Sequence, residues 1–165
     1  MIEIKRNGEY NKYFEEVDKT ARDFFGLQED STQIAADQKT YEYSLQIGGC
    51  SIIALENGKL LGWGFAFPTN RKLMDQFING NITENQLFWM TKKDDNYDAI
   101  YLCAIFVYEE YRRSGLGSKI LNACIDPLLK KDVCIFYEPY TEEGKKLGES
   151  AFKYSYYEVK VKKHK

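Results

Sequence analysis

The stretch best suited to chemistry reads Phe106-Val-Tyr-Glu-Glu-Tyr-Arg-Arg-Ser-Gly-Leu-Gly-Ser118. An apolar strand runs into a basic, glycine-containing turn and then into a helix. The first amides of a helix have no partner within it and point outward, and the helix dipole adds about half a positive charge, so this junction favours an anion. Gly115 and Gly117 remove side chains, which lets a diphosphate lie against the backbone, while Arg112 and Arg113 add charge at the rim. Spacing rejects two phosphate motifs. A P-loop needs Gly-Lys-Ser/Thr, whereas the order here is Gly117-Ser118-Lys119 and the motif's earlier glycine falls on Arg112. A dinucleotide fingerprint opening at Gly115 needs a small residue at 120, which is Ile. What remains is Arg-x-x-Gly-x-Gly over Arg112–Gly117.

The surrounding pattern supplies elements to position that turn. Tyr10, Tyr13, Phe14, Val17, Ala21, Phe24 and Phe25 recur at helical spacing, predicting a helix over 10–25 that ends at Gly26. A second helix, capped by Ser31 or Thr32, carries Ile34, Ala35, Gln38, Tyr41 and Leu45 and closes at Gly48-Gly49. Asn57-Gly58 between the apolar runs 50–55 and 60–67 predicts a hairpin, because both residues tolerate positive φ. Gly62 and Gly64 share one face of its second strand, which implies close approach of a backbone or a ligand. Two short helices follow over 71–78 and 83–90, then a strand from 98 or 99 to about 108, apolar enough to be buried on both faces. A helix from Gly115 turns Leu116, Ile120, Leu121, Cys124 and Ile125 inward, and Pro127 ends or kinks it. Val133–Tyr137 is a strand, Thr141–Leu147 a helix and Phe152–Val161 a last strand anchored by Tyr156, Tyr157, Val159 and Val161. Strand–helix–strand over 99–137 implies a parallel pair, while the hairpin and the C-terminal strand are expected to add antiparallel ones. The fold class is a mixed α/β sheet flanked by helices. With no linker or repeat in its 165 residues, the chain reads as one domain, 1–165.

Composition removes other functions. Lys+Arg 23 against Asp+Glu 25 gives a net charge of −2, which does not suit a general nucleic-acid binder. The six residues Lys160–Lys165 hold four Lys and one His and read as a solvated tail. The longest uncharged apolar run, Ala99 to Tyr108, is half of the roughly 20 residues that a membrane-spanning helix needs. Met1–Tyr10 lacks the apolar core of a signal peptide, so a cytoplasmic protein without membrane association is expected. Cys50, Cys103, Cys124 and Cys134 show no metal-ligand spacing and read as buried thiols; no metal is expected. His164 serves a triad only if the tail folds back into a cleft.

Val107-Tyr-Glu-Glu-Tyr-Arg-Arg-Ser-Gly-Leu-Gly117 resembles the coenzyme A-binding motif of the GCN5-related N-acetyltransferase (GNAT) superfamily in its valine, acidic residue, aromatic, arginine and both glycines, and Leu121 fits the apolar position of the following helix. The tight match spans about 99–125 and the element order extends it over about 50–160. The resemblance implies a GNAT-like fold and acetyl-CoA as cosubstrate, with the diphosphate held by the amides of Arg113, Ser114, Gly115, Leu116 and Gly117, Ser118 nearby and Arg112 at the rim. Main-chain groups of Phe106 and Val107 would pair with the pantetheine arm where this strand and Val133–Tyr137 splay apart, and an amide there would polarise the thioester carbonyl. The implied reaction is direct attack by a primary amine on acetyl-CoA through a tetrahedral intermediate, with no metal; the acceptor is a small amine or a peptide amine, and the protein a monomer or homodimer.

The chain departs from the family pattern at the proton-transfer groups. The asparagine and tyrosine that many relatives carry in the helix after the second central strand fall on Thr141 and Gly148, and the glutamate that some carry on the long strand falls near Tyr101. The replacements at hand are Glu138, as a base acting through water, and Tyr140, as an acid. In this family the acceptor cleft involves the N-terminal helices, the segment after the hairpin and the C-terminal strands, rich here in aromatics: Tyr41, Tyr43, Phe77, Phe88, Trp89, Tyr154, Tyr156 and Tyr157. They suit cation–π contact with an amine, or a core or dimer interface. Two alternatives stay open: a non-catalytic acyl-CoA-binding or regulatory module of the same fold, and a phosphate-ligand protein outside the superfamily.

Overall fold

The computed structural model describes residues 1–26 and 30–164; Lys165, the end of the basic tail, lies outside them. The hairpin forms as expected, with Asn57 and Gly58 at φ 50° and 77° joining β2 (Cys50–Glu56) to β3 (Lys59–Thr69). β3 runs antiparallel to β4 (Ala99–Val107). A helix, α5 (Leu116–Ile125), then carries the chain to β5 (Cys134–Tyr137), parallel to β4 through Ala99↔Cys134, Ile100↔Ile135 and Tyr101↔Phe136.

The last strand departs from expectation. β6 covers only Glu158–Val161 and joins β5 in parallel, not antiparallel. The helix before it, α6, runs Glu142–Phe152, five residues beyond the expected Leu147, and is capped by the Thr141 side chain accepting from the Gly144 amide. That length makes a full crossover, which returns the chain to the same edge in the same direction. Phe152 therefore belongs to the helix, and Tyr156 precedes the strand fully exposed instead of anchoring it. A further edge strand, β1 (Glu3–Arg6), pairs antiparallel with β2 and gives the sheet order β1-β2-β3-β4-β5-β6. Its charged residues hide the strand signal and protect the exposed edge.

Helices cover both faces. On one, α5 and α6 pack on Ile52, Ala54, Leu61, Ile100 and Leu102. Here the two glycines of β3 explain themselves: a Cβ at Gly62 would lie 2.6 Å from the Phe106 carbonyl, and one at Gly64 would lie 2.6 Å from Ile120 and 2.8 Å from Cys124. They admit α5 and its neighbouring strand to the sheet, not a ligand. All five residues expected to face inward from α5 are buried. The opposite face carries α1 (Phe14–Phe25), α2 (Gln38–Gln46), α3 (Arg71–Ile78) and α4 (Glu84–Met90). α1 is preceded by a 3₁₀ stretch over Asn7–Tyr13 and ends at Gly26, φ 66°, whose N–H donates to the Arg22 carbonyl. α2 starts later than its apolar spacing suggested. Asp37, not Ser31 or Thr32, accepts the capping bond from Thr40, and Leu45 is exposed. Thr32 instead donates its amide to Asp30 in a local turn. Among the described residues, no helix is long and apolar enough to cross a membrane.

Candidate active site

β4 is the strand around which the site is built. Its pairing with β3 passes from Phe65↔Ala104 to Ala66↔Leu102, so Cys103 is the additional residue of a β-bulge. A bulge breaks the two-residue alternation of side chains. Before it, Ile100 and Leu102 face α5, and Ala99 and Tyr101 face the α1–α4 side; after it, Ile105 and Val107 face α5, and Ala104 and Phe106 face the other way. Cys103 and Ala104 thus both open toward the α1 side. The β4–β5 ladder ends at Tyr101↔Phe136, so from Leu102 to Val107 the strand pairs with β3 alone. This is the splay expected between the two central strands, and it leaves one edge of β4 free for main-chain pairing.

Beyond Val107 a short 3₁₀ turn, Glu109–Tyr111, leads into the glycine loop. Arg113 (φ 63°) and Gly115 (φ 84°) both take left-handed backbone, the alternation that turns successive amides into a concave anion-binding nest. From Arg113 to Ser118 no amide meets an acceptor among the described residues; the ladder of α5 resumes only with Lys119, which donates to the Gly115 carbonyl. Leu116, 2% exposed, pins this helix end to the core. Arg112 does not point to the loop's mouth. Its Nε donates to the Val107 carbonyl at 2.8 Å and its guanidinium lies over the Phe24 ring, which ties the loop to the strand end and to α1. Ser114 Oγ donates to the Tyr111 carbonyl at 2.6 Å. The Phe106 side chain is buried against Trp63, and its backbone stands in register with Trp63 in the β3–β4 ladder, so its main-chain groups face β3 and not the splay. At Gly117 a Cβ would come no closer than 3.4 Å to its nearest neighbour, Leu147. Free amides, a left-handed nest and an unpaired strand edge together fit a diphosphate joined to an extended amide-bearing arm.

On the α1 side, in front of the bulge, a cavity of roughly 660 Å³ including its open mouth lies between α1, the 33–37 segment, α2 and the sheet. Cys103, Ala104, Glu84 and Tyr140 are among its lining residues. Glu84 is 6% exposed. Its Oε1 accepts from the Ile34 amide at 3.2 Å, and its Oε2 accepts from the Tyr101 hydroxyl and, at 3.4 Å, from the Tyr140 hydroxyl. Burial pushes the carboxyl up to about 7, against the opposing pull of those donors. Burial also raises Tyr140, reinforced by the negative charges of Glu84 and Glu138.

Of the two proton-transfer candidates, Tyr140 reaches the cavity and Glu138 does not. The Glu138 carboxylate turns to Lys162 at 3.9 Å and to His164 at 2.8 Å. The tail does fold back: the His164 ring lies 4.2 Å from that of Tyr140, and its partner is a carboxylate, not a nucleophile. Glu84 escaped sequence reading because it follows Thr83 in a capping box with Gln86, an ordinary place for an acidic residue at a helix start. The available signal was its spacing from Leu87 and Phe88, which puts all three on the buried face. Of the aromatics expected in a cleft, Tyr41 lines the cavity, whereas Phe77 and Phe88 are core and Tyr154 and Tyr156 are exposed. Gly148, where the family resemblance leads to the expectation of a tyrosine, faces the Tyr137 ring so closely that a Cβ there would fall 2.7 Å from Cε2. Tyr137 fills the room a side chain at 148 would need.

The sequence profile described as acetyltransferase (GNAT) family matches residues 14–138. No curated protein matches the chain. Among solved structures, an aminoglycoside acetyltransferase from an uncultured soil metagenomic sample, in complex with sisomicin, superposes with TM-score 0.58 at 14% identity, covering 91% of this chain and 86% of that one. A ribosomal-protein-alanine N-acetyltransferase from Brucella melitensis biovar Abortus 2308 gives 0.53 at 14%, covering 90% and 89%. The aminoglycoside N-acetyltransferase AAC(6')-Iy in complex with CoA gives 0.54 at 14%, covering 90% and 89%. At these identities the likeness is one of fold.

Proposed function

Because the chain belongs to the GNAT acetyltransferase family, we propose that it moves the acetyl group of acetyl-CoA to a primary amine. The observation that carries this reading is the run of free amides from Arg113 to Ser118, set directly beyond the unpaired edge of β4. Bound acetyl-CoA would supply an activated acyl carbon. The chain's part is to hold the diphosphate on those amides and at the positive end of α5. Main-chain groups on the free edge of β4 beyond Tyr101 align the pantetheine arm. An amide at the bulge opposes negative charge as it develops on the thioester oxygen. The relative AAC(6')-Iy is known with CoA, and the metagenomic relative with an aminoglycoside, which supports a two-substrate site in this fold.

The test is calorimetric titration of acetyl-CoA into the protein and into Gly117→Asp. A carboxylate near a helix N-terminus favours the helix, and the new Cβ meets Leu147 at 3.4 Å and Val107 at 3.9 Å, no closer than ordinary van der Waals contact, so the variant keeps its melting temperature. Set among the amides that would hold the diphosphate, the same negative charge should weaken acetyl-CoA by about 100-fold. Equal binding by both proteins, or none by either at millimolar ligand, would remove the reading.

A further inference from the structure

The cavity wall differs from what a polycationic acceptor needs. Phe14, Phe25, Ile34, Tyr41, Trp63 and Phe65 supply much of its lining, and no Lys or Arg contributes among the described residues. Its charged groups are two carboxylates. Asp37, exposed, is engaged in capping α2. Glu84 shares the lining with Cys103, the bulge residue of β4. A ligand with several ammonium groups would leave most of them desolvated without a counter-charge, which is strongly unfavourable. A single ammonium on an apolar body would leave none.

Resting on the acetyl-transfer reading above, we propose that this cavity is the acceptor site, that it takes a primary amine carried on a compact apolar or aromatic body, and that Glu84 is the catalytic carboxylate receiving the ammonium proton. Tyr101 and Tyr140 hold the carboxylate in place. The ammonium gives one proton to Glu84, and the freed lone pair attacks the thioester carbon. The C–N bond forms to give a tetrahedral intermediate, whose collapse breaks the C–S bond; the second N–H proton leaves with the thiol, and Glu84 returns its proton to water. Products are the amide, coenzyme A thiol and one proton. The groups facing Glu84 are the Tyr101 hydroxyl and Cys103 thiol from β4, the Tyr140 hydroxyl from beyond β5 and the Ile34 amide; Glu138, paired with Lys162 and His164, acts at longer range. None of the neighbours is a cation that would hold Glu84 ionised below neutral pH, so the carboxyl titrates where a general base is most effective.

The experiment follows release of coenzyme A thiol with phenethylamine and with kanamycin as probes, alongside calorimetry of acetyl-CoA. Phenethylamine should show a kcat/KM at least about tenfold above kanamycin. Glu84→Gln should lower kcat for phenethylamine by about 100-fold while acetyl-CoA affinity is kept, and the wild-type rise in rate through neutral pH should vanish in the variant. If that variant does not fold, Ala36→Leu narrows the cavity wall and should raise KM for phenethylamine without changing acetyl-CoA binding. Preference for kanamycin, or an unchanged rate and pH profile in Glu84→Gln, overturns the proposal. Acetyl-CoA binding with transfer to neither probe overturns it and leaves the transfer reading standing; no acetyl-CoA binding removes both.

Discussion

The two halves of the site are made in opposite ways. The proposed anion cradle is six consecutive residues, Arg113–Ser118, and it offers backbone amides exposed by two left-handed residues and a helix start. The cavity gathers side chains from Tyr10 to Tyr140, drawn from α1, α2, α4 and three strands. Backbone function tolerates side-chain change and is sensitive to φ. Side-chain function is the reverse. That difference orders the expected effects.

The largest belongs to the cavity. Trp63 is 4% exposed, packs on Phe25 and Phe106 and donates its indole N–H to Thr20 at 2.8 Å. Trp63→Ala should cost about 3–5 kcal/mol in denaturant unfolding, while the folded fraction still binds acetyl-CoA. Loss of that binding as well would mean the two halves are one unit. Next comes Glu84. Its carboxyl stands at about 7 in the fold against an ordinary 4.5, so the fold binds the proton more tightly than the unfolded chain. This stabilisation is complete below the unfolded value and is lost as pH rises through about 7, a change of about 3 kcal/mol. Thermal melts should therefore move in favour of Glu84→Gln, relative to wild type, between about pH 5 and pH 8. A gap constant with pH would show that burial does not disfavour the charge.

In the cradle, Gly115 at φ 84° has open space around a would-be Cβ, so only backbone strain is at stake. Gly115→Ala should cost about 1–2 kcal/mol and weaken acetyl-CoA as the nest flattens. The smallest effect is Ser114→Ala. It removes only an exposed hydroxyl donating to the Tyr111 carbonyl, and should change stability by less than about 1 kcal/mol with acetyl-CoA affinity kept. A large loss would place that hydroxyl on the ligand.

The same contrast explains what could be read along the chain. Gly115, Gly117 and the arginines sit together in sequence, so the glycine loop and the helix start after it were legible, as was the Asn57-Gly58 hairpin, where two local residues set the geometry. Gly62 and Gly64 announced a close approach, and the approaching body is α5. The bulge at Cys103 has no local signature, because it is defined by register with β3. Glu84 could not be tied to Tyr101 and Tyr140 without the fold: they meet across 17 and 56 residues. The direction of β6 depended on how far α6 continues past Leu147, and Gly148 inside that helix concealed its length. Arg112 shows the limit of reading charge alone, since its side chain braces the Val107 carbonyl instead of facing the loop's mouth.

The most direct measurement is an amide NMR titration of the whole protein with coenzyme A. The backbone N–H resonances of Arg113 to Ser118 should move most, followed by those along the free edge of β4 from Leu102 to Val107, with the cavity residues of α1 and α2 scarcely affected. Resonances at Arg113–Ser118 that stay fixed at millimolar ligand, while others move or none does, would contradict the proposed cradle.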